Sequence, residues 1–178
     1  MARSSPLPQR SVALLRGINV GTAKAVSMAD LAAVFESLGA TAVKTVLRSG
    51  NVVFEGSLRP TAIEEAVFEA TGVRSSVVVI DAVAFRTIAD ADPLTDVATN
   101  GSKSFVTFLS EPHGPLELPS AESLAPERIA VAAQAIYQWF PDGSLQTKVP
   151  KSFWKQFSGH VTARNRNTVE KLLALLER

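Results

Sequence analysis

The N-terminal half contains, in order, SVALLR (residues 11–16), SMADLAAVFESLG (27–39), VKTVL (43–47), NVVF (51–54), PTAIEEAVFEATG (60–72) and SVVVI (76–80). The four apolar or β-branched runs predict strands, and the two longer segments repeat apolar residues at helical spacing. The order is therefore strand, helix, strand, strand, helix, strand. That order predicts an α+β protein with a ferredoxin-like βαββαβ subdomain over residues 11–80, both helices lying on one face of an antiparallel sheet.

Local signals support the helix boundaries. Ser27 with Asp30 and Thr61 with Glu64 have the spacing of a capping box, which predicts helix starts at both places. Gly39 and Gly72 follow the last periodic residues and predict the helix ends.

The second half, residues 81–178, predicts a less regular α+β subdomain. Asp81 is suited to cap a helix, FVTFL (105–109) predicts a strand, and residues 110–127 form a proline-rich loop. We expect Asp90 and Asp92 to be solvated charges, and Ser152 to cap a short helix. The chain ends in an amphipathic helix, and residues 1–10 are predicted to be disordered. No repeat between the halves is evident. The apolar face of the last helix consists of Val169, Leu172, Leu173 and Leu176.

The composition excludes several kinds of chemistry. The 178 residues include no cysteine and only two histidines, so thiolate catalysis, disulfides and zinc or iron–sulfur centres are not expected. We predict no metal and no cofactor. Because neither a secretory signal nor an apolar span is visible, we expect a cytoplasmic protein without a membrane partner. The sequence does not indicate an oligomeric state.

Charge is unevenly distributed along the chain. Residues 1–52 hold six basic and two acidic side chains, and residues 143–178 hold seven and two. Residues 53–80 hold two and four, and residues 81–142 hold three and nine, so the middle is acidic. One interpretation is a positive cleft where the two basic ends meet in space, and the other is chance patterning on a solvated surface.

The segment Arg16–Gly21 leaves the first strand and enters a loop ahead of a helix. Backbone N–H groups in such a loop favour anions, and we expect Arg16 and Lys24 to add positive charge while Asn19 orients a ligand. A plain strand–helix turn is the alternative. The turn containing Arg48 reads as a hairpin connection. We expect it at the opposite end of the strands, so Arg48 ranks below Arg16.

A second basic motif, residues 164–168, directly precedes the last helix. Asn165, Asn167 or Thr168 would serve as its N-cap, but cations are unfavourable at a helix N-terminus. Arg164 and Arg166 therefore predict a nearby anion, either a ligand or an acidic side chain such as Asp142. We include Asp142, Lys148, Arg164, Asn165 and Arg166 among the candidate ligand-binding residues.

Several motifs together resemble the domain-of-unknown-function 1697 family. They are RGINVG (16–21), MADL (28–31), SGNVVF (49–54), Tyr137 with PDG (141–143) and Lys148, and TARN (162–165) with Thr168. The chain departs from the family pattern at Thr22, where a second glycine is common, and at Arg166, where tryptophan is common. The resemblance covers about residues 12–176 and implies a bacterial protein, but it implies no activity.

Three functions are compatible with these observations. The first is binding, with or without turnover, of a small phosphate- or carboxylate-bearing ligand in a basic cleft between subdomains; no catalytic residue is assigned. The second is a non-enzymatic interaction or sensing module in which the motifs are structural. The third, and least favoured, is binding of single-stranded RNA or DNA, which requires alternating aromatics on the central strands, whereas Phe54 is the only one there.

Overall fold

The computed structural model describes residues 9–21 and 24–178, so most of the predicted disordered segment 1–10 lies outside the described residues. Contacts divide the chain into two compact units, Met1–Phe85 with Leu175–Arg178, and Arg86–Ala174. No helix in the described part of the chain is both long enough and apolar enough to cross a membrane.

The N-terminal unit confirms the predicted βαββαβ order. Its elements are β1 (Arg10–Arg16), α1 (Met28–Ser37), β2 (Thr41–Val46), β3 (Asn51–Glu55), α2 (Pro60–Thr71) and β4 (Ser76–Asp81). The strands form an antiparallel sheet in the order β2-β3-β1-β4. The chain continues into α3 (Ala82–Asp90), where the Asp81 carboxylate accepts the N–H of Ala84 at 2.9 Å, as a capping residue does.

The two helix starts differ. The Ser27 hydroxyl accepts the N–H of Asp30 at 3.0 Å, which confirms the predicted cap of α1. The predicted capping box at Thr61 is wrong, because α2 begins one residue earlier at Pro60, and its N-cap Arg59 makes no side-chain cap bond. Proline is suited to the first helical position, where its missing N–H has no intrahelical partner. Glu64 instead accepts the N–H of Val77 at 2.8 Å and joins α2 to β4.

Both faces of strands β1, β3 and β4 are buried, whereas the edge strand β2 is exposed or half-buried. Leu31, Phe35, Ile63 and Val67 of the two helices pack on one face, against side chains such as those of Ala13, Leu15, Val52 and Phe54. Successive side chains of a strand point to opposite faces. Val12, Leu14, Val53 and Val78, which alternate with the first set, are also buried. This sheet therefore has no open apolar face.

The second unit repeats the same topology. Its elements are β5 (Ser104–Leu109), α4 (Ala121–Leu124), β6 (Arg128–Val131), β7 (Ala135–Trp139), a 3-10 helix (Ser144–Gln146), α5 (Lys151–Trp154), β8 (Val161–Asn165) and α6 (Arg166–Leu176). The sheet order is β6-β7-β5-β8, and every pairing is antiparallel. With β5 in the place of β1, the elements again follow the βαββαβ order, but α4 and α5 have only four residues each, so the second unit is the less regular of the two α+β units.

Candidate functional site

The β1–α1 loop and the β2–β3 turn lie at the same end of the N-terminal sheet. The expectation that they lie at opposite ends was wrong, because β1 runs antiparallel to β3 and its end is therefore beside the start of β3. The N–H of Leu15 donates to the carbonyl of Gly50 at 2.8 Å. Arg48, in the turn, is consequently close to the loop that follows Arg16.

Asn19 joins this loop to the turn. Its side-chain amide donates to the carbonyl of Arg48 at 2.8 Å and to the carbonyl of Val26 at 3.0 Å, and its oxygen accepts the N–H of Val26 at 2.7 Å. Its φ of 52° lies in the left-handed region, which asparagine tolerates better than most residues do. The side chain is therefore occupied in organising the loop, a role different from the predicted contact with a ligand.

The turn also requires a glycine at position 50. Gly50 has a φ of +84°, and a Cβ there would lie 2.7 Å from Cδ1 of Ile18 and 2.9 Å from Cβ of Leu15. Such close approach is available only to a residue without a side chain. The loop and the turn are thus held together by both hydrogen bonding and packing.

A third segment reaches the same end of the sheet, and the sequence analysis missed it. Arg16 is paired with Ser76, the first residue of β4, and a Cβ on Gly17 would lie 3.5 Å from the carbonyl oxygen of Arg74. The guanidinium carbon of Arg74 lies 4.3 Å from the centre of the Phe68 ring, a cation–π contact. Because β1 and β4 pair antiparallel, the residues just before β4 lie beside the end of β1, and this relationship predicts that Arg74 is near Arg16.

We call this region the basic end, defined by the described residues of three segments: 16–27 (without 22 and 23), 46–51 and 72–76. In the sequence these three segments contain four basic residues and no acidic one. All four are exposed: Arg16, Lys24, Arg48 and Arg74. Two large aliphatic side chains are exposed among the described residues of these segments, Val20 by 65% and Leu47 by 47%.

The predicted residues of the second unit have internal contacts. Arg166, the first residue of α6, forms an ion pair with Asp92. The Asp92 carboxylate also accepts the N–H of Leu94 at 2.9 Å and is buried, so the expectation that Asp92 is solvated was wrong. The acidic partner that we predicted near the helix start exists for Arg166, but it is Asp92, whereas Asp142 is exposed.

Arg164 and Asn165 also serve the local structure. The Asn165 oxygen accepts the N–H of Thr168 at 3.0 Å, which makes Asn165 the N-cap among the three candidates. Arg164 is buried and donates to the Thr162 hydroxyl at 2.9 Å and to the Ala163 carbonyl at 2.8 Å. Burial lowers the pKa of Arg164 to about 10, because desolvation disfavours the charged guanidinium.

Lys148 lies beside a buried carboxylate that the sequence analysis did not single out. Glu127 accepts the Thr147 hydroxyl at 2.7 Å and the backbone N–H of Lys148 at 2.9 Å, while the Lys148 ammonium donates to the carbonyl of Ala125. These bonds anchor the segment after the 3-10 helix. The side chain of Lys148 is exposed.

Tyr137 extends the network around Asp92. Its hydroxyl donates to the carbonyl of Ile88 at 2.7 Å. Burial, with a smaller contribution from the negative charge of Asp92, raises the pKa of Tyr137 to about 12. The phenol therefore stays protonated near neutral pH. Within the described residues, no three His, Asp or Glu side chains are grouped so that they could hold a metal ion.

The architecture defines a class of α+β proteins in which two antiparallel βαββαβ units follow one another in a single chain. The family described as "Protein of unknown function (DUF1697)" matches residues 9–137, and the chain belongs to this family. No curated protein matches the chain.

One solved structure is similar over nearly the full length. It is that of the conserved bacterial protein SP0830 from Streptococcus pneumoniae, with a TM-score of 0.65 and 23% sequence identity. The similarity covers 94% of this chain and 98% of that protein. At this identity the likeness concerns the fold alone.

Proposed function

We propose that the protein binds a small phosphate- or carboxylate-bearing ligand at the basic end of its N-terminal unit. The observation that carries the proposal is the bond from Asn19 to the Arg48 carbonyl, since it holds two of the three cation-bearing segments together. The third segment is adjacent through the pairing of Arg16 with Ser76.

The chemistry of the basic end suits anions. Guanidinium groups present several N–H donors in a plane and bind carboxylates and phosphates through paired hydrogen bonds. The segments contain four cations, and the carboxylate of Glu64, which accepts the Val77 N–H beside this end of the sheet, offsets one of these charges. The remaining excess of positive charge raises the local anion concentration. The proposal concerns binding in a cytoplasmic protein and assigns no reaction.

Residues of the second unit are not needed for this proposal. Arg166 is neutralised by Asp92, and Asn165 is occupied as a helix cap. The prediction that Asp142, Lys148 and Arg164 contact a ligand has no support from their contacts, so the proposal rests on Arg16, Lys24, Arg48 and Arg74.

A second candidate function is a non-enzymatic interaction module. It is favoured by the internal hydrogen bonding of the two motif asparagines, Asn19 and Asn165, which shows that part of each motif maintains local structure. Nucleic-acid binding on a sheet face is less well supported, because Val12 and Leu14 on one face and Ala13 and Leu15 on the other are all buried.

The proposal is tested by thermal unfolding at low salt with inorganic phosphate, pyrophosphate, citrate and a short single-stranded RNA. A ligand at 100 times its Kd adds about 2.7 kcal/mol, which raises the Tm of a chain of this size by about 5–10 °C. Arg48→Ala and Lys24→Ala should each reduce the shift. Arg59→Ala is the matched control, since Arg59 is also exposed but precedes α2 outside the basic end.

Four outcomes separate the candidates. A shift with small anions that depends on Arg48 and Lys24 supports the proposal. A shift that survives in the Arg48→Ala/Lys24→Ala double variant places the anion elsewhere and overturns it. If no small anion shifts the Tm, the interaction module becomes the better account, and a shift with RNA alone would favour nucleic-acid binding.

A further inference from the structure

We propose that the second unit binds a small organic cation, an amine carried on an apolar body, in a cavity between its proline-rich loop and α5. The cavity has a volume of about 550 Å³, which is within the usual range for small-molecule sites. Its lining residues all belong to the unit Arg86–Ala174. The site therefore shares no residue with the basic end and does not depend on the proposed function.

Most of the lining is apolar, and much of it is stiff. Three prolines line the cavity, Pro115 and Pro119 in the loop and Pro150 before α5, and a proline ring fixes φ. The other apolar lining residues are Leu118, which is exposed by 55%, and Phe153 of α5, which is exposed by 1%. The apolar body of a ligand would cover Leu118 and remove that surface from water.

Contacts to other parts of the second unit hold the loop in place. The amide oxygen of Gln156 accepts the backbone N–H of Glu117 at 2.7 Å, and its nitrogen donates to the carbonyl of the same residue at 3.1 Å. Leu116 packs against the hydrophobic core of the unit, and a ring nitrogen of His113 lies 3.0 Å from the carbonyl oxygen of Ala132. Because the loop is already attached at these points, little ordering is needed when a ligand binds.

The polar part of the lining determines which charge the ligand can carry. It consists of Glu117, Ser152 and Gln156. The amide of Gln156 is bound to the loop, whereas within the described residues the Glu117 carboxylate and the Ser152 hydroxyl make no hydrogen bond or ion pair. Lys151 and Lys155 flank Ser152 in the sequence but do not line the cavity. The charge that the lining presents is therefore that of one carboxylate.

A carboxylate beside apolar walls suits an ammonium group attached to a hydrocarbon. The Glu117 carboxylate accepts a charge-assisted hydrogen bond from such a group, and the Ser152 hydroxyl is a second acceptor. An anion of the same shape would be repelled by Glu117. Because Glu117 is exposed, water screens its charge, so the ion pair adds a small preference to an affinity that comes mainly from apolar contact.

The test is an NMR titration of the isotope-labelled full chain at pH 7 with 2-phenylethylamine, 2-phenylethanol and phenylacetate. These probes have similar size and are cationic, neutral and anionic. We expect saturable shifts of the backbone amides in the loop and α5, with a Kd on the order of 1 mM for the amine. The amine should bind about threefold more tightly than the alcohol, the ratio expected of one exposed ion pair, and phenylacetate should bind most weakly.

Two variants at exposed positions separate the charge from the apolar contact. Glu117→Gln should abolish the preference for the amine while leaving the Kd of the alcohol within about twofold, because it removes the charge and keeps the shape. Leu118→Ser should weaken the binding of all three probes by about twofold to fivefold, because apolar contact is lost. Glu122→Gln is the matched control, since Glu122 is also an exposed carboxylate of the second unit but does not line the cavity.

Each outcome of the titration decides for or against the cavity. Saturable shifts in the loop and α5, with a preference for the amine that depends on Glu117, support the proposal. Equal affinity for the amine and the alcohol, or a preference that survives Glu117→Gln, overturns the assignment of a cation. Shifts that are absent from the loop and α5, or that are scattered and do not saturate, overturn the site itself. None of these outcomes bears on the basic end, whose test uses anions and other residues.

Discussion

The side-chain amide of Asn19 lies 2.8 Å from the carbonyl oxygen of Arg48 and donates a hydrogen bond to it. The same nitrogen donates to the Val26 carbonyl, and the oxygen of the amide accepts the Val26 N–H. One side chain thus closes the β1–α1 loop and attaches it to the β2–β3 turn. The β1–α1 loop therefore depends on Asn19 for its proximity to the turn that contains Arg48, whereas strand pairing brings the segment of Arg74 close to Arg16.

The first prediction concerns Asn19. Asn19→Asp keeps the size of the side chain but replaces the donor nitrogen with an acceptor oxygen, which then faces the carbonyls of Val26 and Arg48. We expect the free energy of unfolding to fall by about 2–3 kcal/mol at pH 7, because two donated hydrogen bonds are lost and a carboxylate oxygen then faces the partially negative oxygens of the two carbonyls. Urea denaturation measures the change.

Asn19→Ala removes the same donors and also the oxygen that accepts the Val26 N–H, a bond that Asn19→Asp can keep. It should therefore destabilise the protein by a similar amount. If Asn19→Asp unfolds at the same urea concentration as the unmodified chain, the amide does not organise the loop. The basic end would then lack its main structural support.

The second prediction compares two glycines with similar backbone conformation. Gly50 and Gly21 have φ of +84° and +61°, but a Cβ on Gly50 would lie 2.7 Å from Ile18, whereas no described atom lies within 4 Å of that position on Gly21. Gly21→Ala should cost about 1 kcal/mol for the left-handed backbone alone. Gly50→Ala should cost about 2–4 kcal/mol, because steric overlap is added. Equal losses in urea denaturation would show that Ile18 moves aside freely.

The third prediction concerns the ionisation of Tyr137. The chain has one tyrosine, so the near-ultraviolet absorbance of tyrosinate reports this residue alone. The pKa of Tyr137 is raised to about 12 in the folded protein, so its titration midpoint should lie there, and near 10 in urea. A midpoint near 10 without denaturant would contradict the burial of the phenol.

This shift also has a consequence for stability. Because the folded state holds the proton more tightly than the unfolded state does, the contribution of Tyr137 is complete below pH 10 and is lost as pH rises to about 12. Tyr137→Phe should lower the free energy of unfolding by about 1–2 kcal/mol at pH 7, through loss of the bond to Ile88. The difference between the two proteins should narrow above pH 10. The lowered pKa of Arg164 makes its own contribution to the free energy of unfolding rise with pH in this range. Because Arg164 is present in both proteins, this contribution does not change the difference between them.

The first unit could be predicted from the sequence because its signals are local. Ser27 with Asp30 marks a helix start, Gly39 follows the helix end, and ten- and twelve-residue helices show clear periodicity. The position of Arg48 relative to Arg16 could not be read in this local way. That position depends on the direction in which β1 and β3 pair. Because antiparallel pairing places the end of β1 beside the start of β3, the strand directions alone predict that the two residues lie at the same end.

The sequence of the second unit contains weaker patterns for predicting its helices and strands. Its α4 and α5 have four residues each, too few to show a helical repeat, and β8 has the sequence VTARN, in which polar residues leave no clear strand pattern. The repeated topology was therefore not visible. Asp92 was interpreted as solvated because its partner Arg166 is 74 residues away in the chain, and sequence spacing does not show such a contact.

The last prediction concerns that ion pair. The side chain of Asp92 is 2% exposed and that of Arg166 is 25% exposed. Water can therefore solvate Arg166 without its partner, but it cannot solvate Asp92. Arg166→Ala leaves a buried carboxylate without its counter-charge and should lower the free energy of unfolding by about 3 kcal/mol. Asp92→Asn leaves a cation that water can solvate and should cost about 1–2 kcal/mol. The double variant should cost less than the sum of the single ones, as measured in a double-mutant cycle by urea denaturation.

Asp92→Asn should also lower the titration midpoint of Tyr137, because it removes the negative charge that opposes ionisation of the phenol. Equal losses in both single variants, with an unchanged Tyr137 midpoint, would show that the pair is open to solvent.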